Sequence, residues 1–497
     1  MSTIDEIQRE RSEKVAKLRA KGIDPYPPES ARDRSVSEFL KDFDSLLSEA
    51  SVVTLAGRIM STRLHGGAVF FDIFDGTNKV QVYLKKDDLK EGDFDAFVEA
   101  VDTGDFVDVA GIAFLTKRNE RSLFGRSWRM LTKSLRPIPD AWYGLKDEEK
   151  RYRMRYLDIL LNPVSADIVK KRSIFWNAFR TYLIDKGFIE VETPVLENTT
   201  GGAEARPFVT HHKALDIDLY LRISAGELWQ KKLLVAGLPR VFEIGRIFRN
   251  EGMSNEHLQD YTQLEFYMAY ADYKFGMDMT KDLYRTVAEK TFGTSKFTIK
   301  GFDIDLAGEW EIYDFCELIK KHYNLDPLEF TEEESDLNSK TLGKIEEALE
   351  KNEIPFDSMA LSIERGVDLL WKKIRKSIGG PGFLVGVPVY MEPLAKRSAK
   401  NPKVVERFQV LIAGSEVGKG FSELNDPEDQ KARFIKQQAL REAGDEEAQM
   451  ADMEFVEALE YGMPPAFGFG VSERLFSFLM DIDVREGQIF PLMRPKE

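Results

Sequence analysis

Between residues 51 and 137 apolar and polar side chains alternate in five runs bounded by turn residues, a pattern that predicts five short strands closing into a small barrel. The second and third runs, AVFFDIFD and KVQVYLK, are joined by Gly76-Thr77-Asn78. Period-two alternation puts Val69, Phe71 and Ile73 with Val80, Val82 and Leu84 on one face, which makes a core. Phe70, Phe74, Gln81 and Tyr83 fall on the other. Exposed aromatics of this kind hold unpaired bases in such barrels, and packing against the leader helix or the next domain is the alternative.

RPIPDAWYGLKDEEKRYRMRYLDIL follows, a proline-punctuated linker running into a charged helix. It divides the chain into a helical leader (1–50), the barrel (51–144) and a larger domain (145–497). In the larger domain the periodicity predicts a helix from about 165 to 186, strands near 206–223, a helix from about 273 to 292 and a helical insertion over about 325–375. Strands return in FLVGVPVYM and VVERFQVLIAG, and the chain closes on a helix in RLFSFLMD. Successive strands with short turns predict an antiparallel sheet, so the fold class is α+β.

One strand breaks in an unusual place. RVFEIGRIFRNEG alternates Val241, Glu243 and Gly245 against Phe242, Ile244 and Arg246, then runs into Arg249, Asn250 and Glu251 before resuming as YTQLEFYMAYADY. A strand that ends in an arginine, an amide and a carboxylate points to a ligand in the gap.

A chain of 497 residues, 43% hydrophobic and 31% charged, has the composition of a multidomain globular protein. It has no apolar run of bilayer length and no signal peptide, which reads as cytoplasmic, without a membrane partner. One cysteine, Cys316, excludes an internal disulfide, and five histidines at no zinc spacing argue against a structural metal. The net charge of -15 argues against indiscriminate binding to nucleic acid while leaving room for a local basic face. Arg9, Arg11, Lys14, Lys17, Arg19 and Lys21 crowd the leader helix and are one candidate, with a solvated helix surface as the alternative.

Glycine loops for phosphate are absent: GSEVGKG is one residue short of a P-loop, and GFGVSE lacks the third glycine of a dinucleotide turn. Arginine is the other way to grip phosphate, since its planar fork is bidentate and permanently charged. Arg249 at the end of the broken strand and Arg474 at the start of the last helix are the candidates, and Glu251, His257 and Tyr261 gather around the same hairpin.

These blocks resemble the class II lysyl-tRNA synthetases over nearly the whole chain. GFIEVETPVL, with Pro194, resembles the first class II motif, VFEIGRIFRNEG with HLQDYTQLEFYMAYADY the second, and GFGVSERLFSFL the third. RYRMRYLDIL, GGAEARPFVTHH, PLAKR and GSEVGKGFSELNDPEDQ are similar to the lysine-specific members. The resemblance implies an OB-fold anticodon-binding barrel ahead of a class II catalytic domain, with L-lysine, ATP, Mg2+ and tRNA(Lys) as ligands and a homodimer as the assembly. It implies that Arg249 and Arg474 hold the triphosphate, with Glu251, His257, Tyr261 and Glu416 around the nucleotide. For lysine it implies Glu423 and Tyr267 at the ε-ammonium, Phe421 along the stem, Glu227 and Gly202 at the α-amino group, and Glu265 beside Tyr267. In the barrel it implies Phe70, Gln81 and Arg58 as anticodon contacts.

Three positions depart from the resemblance. Gln409 stands where a magnesium-binding glutamate is expected, although its partner Glu416 is present, which puts the number of ions in question. Lys419 replaces an asparagine that would contact the substrate carboxylate, and its ammonium either takes over that contact or offsets missing metal charge. Gly470 stands four residues before Arg474, one more than the third motif keeps. The rival readings are aspartyl- or asparaginyl-tRNA synthetase, against which GFSELND and Tyr267 argue, and a repurposed paralogue without charging activity.

Overall fold

The computed structural model describes residues 3–139, 145–203, 205–252, 257–330, 335–358, 361–442 and 448–495, with side chains of 335–339 left aside. The linker residues 140–144, Glu204 of GGAEARPFVTHH, loop residues 253–256 and insertion residues 331–334 lie outside the described residues. The chain forms two compact units, 1–161 and 162–497.

In the first unit, helix α1 (Ile4–Ala20) starts at a capping box in which Thr3 and Glu6 satisfy each other's backbone donors. Strands β1 (Val52–His65), β2 (Ala68–Phe74), β3 (Lys79–Lys85), β4 (Phe106–Leu115) and β5 (Arg121–Thr132) close a barrel in the order β1-β2-β3-β5-β4. Val69, Phe71, Ile73, Val80, Val82 and Leu84 are buried inside it. Several basic side chains of α1 are paired within their own unit. Arg11 is buried and donates to the carbonyls of Thr103, Ser134 and Arg136, Lys14 pairs with Asp102 at 2.7 Å, and Lys17 and Lys21 pair with Glu99. Arg11 and Lys14 thus serve the unit's own packing, while Lys17 and Lys21 stay about half exposed in their pairs and Arg9 and Arg19 are exposed.

The second unit is built on one sheet. Helix α2 (Pro163–Asp185) opens on Asn162 as N-cap with proline in its first turn. Strand β6 (Ile189–Glu190), helix α3 (Glu227–Val235), β7 (Arg240–Phe248), β8 (Asp260–Ala269) and helix α4 (Tyr273–Phe292) follow. Then come β9 (Glu311–Asp314), the insertion helices α5 (Ser335–Lys351) and α6 (Ile363–Arg375), β10 (Gly382–Val385), β11 (Arg407–Ile412), β12 (Ser415–Ser422), β13 (Ala466–Ser472) and the short helix α7 (Arg474–Leu479). The eight strands lie in the order β9-β10-β11-β12-β13-β8-β7-β6. All neighbours are antiparallel except the two edge pairs, β9 with β10 and β6 with β7.

Phe175, Phe179 and Leu183 of α2 and Met279, Leu283 and Val287 of α4 pack on one face against Phe242, Phe266, Phe408, Phe467 and Phe469. On the other face α3 and α6 pack through Leu228, Leu234, Leu370 and Trp371, covering only part of the sheet. The uncovered part is where the polar residues of the strands gather.

Candidate active site

Strand alternation delivers the site. In β8, Leu264 and Phe266 enter the core, so Tyr261, Gln263, Glu265 and Tyr267 point the opposite way. In β11 the same period buries Phe408 and Val410 and presents Arg407 and Gln409; in β13 it buries Phe467, Phe469 and Val471 and leaves Gly468 and Gly470 on the site face. The result is a cavity of ≈ 460 Å³ bordered by Gly202, Glu227, Arg249, Glu251, His257, Tyr261, Glu265, Tyr267, Gln409, Glu416, Lys419, Phe421 and Arg474. Glu423 alone of the candidates in this unit is set behind the wall, 1% exposed.

At the outer end, β7 stops at Phe248 and β8 begins at Asp260, and the neck of the loop between them is closed by the Arg249 N–H donating to the Gln259 carbonyl at 2.7 Å. Arg249 Nε donates to the Ile223 carbonyl at 3.3 Å and its guanidinium stands 5.8 Å from the Tyr261 ring centre. Burial pushes the Tyr261 phenol up against the pull of Arg249, with Glu251, Glu473 and Arg474 also in range. Arg249 thus stands at the Tyr261 ring, while the Arg474 guanidinium lies 5.4 Å from the centre of the Phe478 ring. The altered third motif is absorbed locally. Ser472 extends β13 opposite Gln263, its Oγ accepts the Arg474 N–H at 3.3 Å, and the Glu473 N–H donates to the Thr262 carbonyl at 3.0 Å. Arg474 thus still opens a helix at the cavity rim.

In the middle, Gln409 and Lys419 are cross-strand partners. The Gln409 amide oxygen accepts from Arg407, whose guanidinium also pairs with Glu392 at 2.9 Å, and Lys419 faces the same Glu392 at 3.4 Å. Glu416 accepts the Trp371 indole N–H at 2.6 Å and faces Arg375 at 3.9 Å. Magnesium needs hard, undercommitted oxygens, yet one expected carboxylate is an amide already bound to arginine and the other is already hydrogen-bonded. Among the described residues no group of three His, Cys, Asp or Glu side chains is placed to hold a metal. Gln409 therefore does not fit a magnesium ion, whereas Glu416, with one carboxylate oxygen outside its hydrogen bond to Trp371, fits as a single protein ligand to an ion held mainly by nucleotide phosphates.

The deep end is acidic. Glu265 accepts the Ala225 N–H at 2.9 Å, the Gln263 amide at 2.8 Å and the Tyr267 hydroxyl at 2.8 Å. Burial, helped by Glu227, raises its carboxyl to about 7 against the pull of those donors. Glu423 is raised to about 8, first by burial and then by Glu227 and Glu265, with Lys231 pulling it down. Gly468 is the window onto it: a Cβ there would stand 2.1 Å from Glu423 Oε1 and 2.5 Å from the Tyr267 ring. Gly202, at φ +83, leaves similar room beside Glu227 and Ser224, where a Cβ would meet both inside 3.0 Å. Lys231, Glu392, Arg407 and Gly468 were not singled out from the sequence. Only the i, i+4 spacing of Glu227 and Lys231 on α3 carried a readable signal.

In the barrel, Phe70 stacks on Tyr83 at 4.6 Å and Tyr83 on Phe124 at 5.4 Å, with Phe114 at 5.7 Å from Tyr83. The aromatic face is therefore wider than two strands, and Arg126 covers Phe124 at 4.3 Å. Gln81 is mostly buried and accepts from Ser122 at 3.3 Å. Arg58 lies apart from this patch: it donates to the Gly104 carbonyl at 3.1 Å and sits 4.2 Å over Phe106.

Beside this sheet and barrel, the sequence itself matches known families. Residues 147–494 match the tRNA synthetases class II (D, K and N), residues 53–131 match the OB-fold nucleic acid binding domain, and the chain belongs to the class II tRNA synthetases. Within that class, similar proteins that cover nearly the whole chain are named lysine–tRNA ligases. Lysine–tRNA ligase of Pelotomaculum thermopropionicum is 43% identical over 99% of this chain and 96% of its own. Those of Thermotoga maritima (40%, covering 99% and 97%) and Moorella thermoacetica (43%, covering 99% of each) are similar along the same length.

Proposed function

We infer that this chain is a lysine–tRNA ligase, joining lysine to ATP as lysyl-adenylate and then passing it to the 3′ end of tRNA(Lys). The observation that carries the choice of amino acid is the set of buried carboxylates, Glu227, Glu265 and Glu423, at the closed end of the cavity. An aspartate or asparagine side chain brings no cation to them, and a charge left buried and unpaired costs roughly 2–5 kcal/mol.

In the first step an oxygen of the lysine carboxylate attacks the α-phosphorus of ATP, the bond to the bridging oxygen breaks, and pyrophosphate leaves. Arg249 neutralises the charge that grows on the α-phosphate, Arg474 and His257 take the outer phosphates, and Tyr261 offers its ring to adenine with Glu251 alongside. In the second step a terminal ribose hydroxyl of tRNA attacks the acyl carbon and AMP leaves. The protein's contribution is positioning and charge neutralisation rather than covalent chemistry. Lys419 reaches toward the substrate carboxylate from β12, where its pairing with Glu392 leaves the side chain 43% exposed. Phe70, with its aromatic neighbours, stacks the anticodon bases beside Gln81, and Arg58, which stands apart from that face, is a separate tRNA contact in this reading.

The assembly proposed is a homodimer through the first motif. Ile174, Ile184, Ile189, Val195 and Leu196 are large apolar side chains left between 42% and 50% exposed on and after α2, a concentration that a second copy would cover. Domain limits near 50 and 145 and a cytoplasmic site of action belong to the same reading.

The test is amino-acid-dependent ATP–pyrophosphate exchange with lysine, aspartate and asparagine in parallel, followed by charging of tRNA(Lys). Exchange with lysine alone and charging after it are expected. Exchange driven by aspartate or asparagine, or none by any of the three, would overturn the reading.

A further inference from the structure

Lys231 on α3 is buried, and its Nζ stands 2.7 Å from Glu227 Oε1 and 2.6 Å from Glu423 Oε2. The Phe421, Tyr267 and Phe455 rings surround it at 5.3, 5.8 and 5.9 Å from their centres. An ammonium thus already lies between the carboxylate assigned to the α-amino group and the one assigned to the ε-ammonium. Burial works against its charge, but Glu227 and Glu423 outweigh that and hold it protonated. Glu423 Oε1, on the Gly468 side, has no hydrogen-bond partner among the described residues.

The charge count follows from these positions. The closed end of the cavity holds the carboxylates of Glu227, Glu265 and Glu423 against the single ammonium of Lys231, and the Tyr267 hydroxyl is neutral and donates to Glu265. With all three ionised, two negative charges stand uncompensated. Lysine enters with two ammonium groups, while its carboxylate remains at the arginine end.

We propose that Lys231 is a positioning residue that fixes the charge deficit of the amino-acid pocket at two, a deficit met by protons when the pocket is empty and by the two ammonium groups of a diamino acid when it is filled. This deepens the lysine reading and rests on it. With Lys231 in place, the proton held by Glu423, and part of that on Glu265, leave as the substrate arrives. Lysine affinity therefore rises with pH through the range where those carboxyls titrate, about 7 to about 8. Removing the Lys231 charge leaves three carboxylates facing two ammonium groups. The empty pocket then clings to its protons up to higher pH, because an opposite charge lost at contact distance moves a carboxyl by about 1–3 units.

The experiment measures KM for lysine and kcat of pyrophosphate exchange from pH 6 to 9 in the full-length protein, in Lys231→Met and in Lys231→Arg. Expected is a roughly tenfold rise in KM for Lys231→Met at pH 7 that narrows toward pH 9, with kcat changed less and the midpoint displaced upward. Lys231→Arg, which keeps the charge, keeps the wild-type midpoint. A Lys231→Met profile with the wild-type midpoint, or a rise in KM equal at all pH values, overturns the proposal. Calorimetry of lysine binding to the wild type in buffers of different ionisation enthalpy gives a second measurement should the methionine variant fail to fold. Proton release at pH 7 that vanishes at pH 9 supports the proposal, and proton-neutral binding at pH 7 overturns it. Absence of any lysine-dependent exchange in the wild type defeats the functional reading itself, which is a separate outcome.

Discussion

Glu423 is the side chain on which amino-acid choice turns in the proposed function, being 1% exposed and lying directly behind Gly468. Glu423→Gln keeps the shape and removes the charge. At pH 8 it is expected to lower kcat/KM for lysine by about 2–5 kcal/mol, at least about thirtyfold, while the KM for ATP changes little; steady-state exchange kinetics measure both. Lys419 is a second residue with a clear test. Lys419→Asn removes the ammonium that shares Glu392 with Arg407, and lysine-dependent exchange is expected to slow by about tenfold, the size of one charge-assisted contact. Unchanged kinetics would remove Lys419 from the site. Gln409 and Lys419 were visible as departures in the sequence, but their meaning was not. Glu392, the carboxylate that binds Lys419 and Arg407, lies outside both of their strands, just before Pro393, and no local pattern announces it.

At the scale of elements, β7 and β8 follow the pattern of their sequence closely. The alternation of Val241, Glu243 and Gly245 against Phe242, Ile244 and Arg246 is the observed facing, and the chain leaves the sheet after Phe248. GFIEVETPVL was less legible. Only Ile189 and Glu190 pair with β7, since the Thr193 N–H and hydroxyl turn to the Glu243 carboxylate and Pro194 has no donor for a ladder. The basic residues of α1 read equally well as an RNA face or as a structural one, and their partners, Asp102 and Glu99, come from another part of the barrel unit. The outer face of β2 and β3 keeps its aromatic character. Phe70→Ala is expected to raise the KM for tRNA(Lys) in charging by about 1–3 kcal/mol of lost stacking, with pyrophosphate exchange unchanged. An equal loss in exchange would place Phe70 in folding rather than in base binding.

For the whole molecule the prediction concerns assembly. Substituting Ile184→Asp together with Leu196→Asp puts charge into the exposed apolar group beside α2, and sedimentation velocity is expected to show the wild type at twice the mass of the variant. A wild type that sediments as a monomer would refute the dimer. The net charge of -15 adds that tRNA binding must rest on local features such as Arg126 over Phe124, so its affinity should be less salt-dependent than that of a basic protein.

The position of Glu423 behind Gly468 also has a kinetic meaning. His257 and Glu251 border the cavity near solvent, whereas Glu265, Tyr267 and Glu423 are sealed at its far end. A nucleotide seated across Arg249 and Arg474 would stand between bulk water and the innermost carboxylate. The amino acid is then expected to arrive first, and a non-hydrolysable ATP analogue should trap it, slowing its escape by standing across the exit.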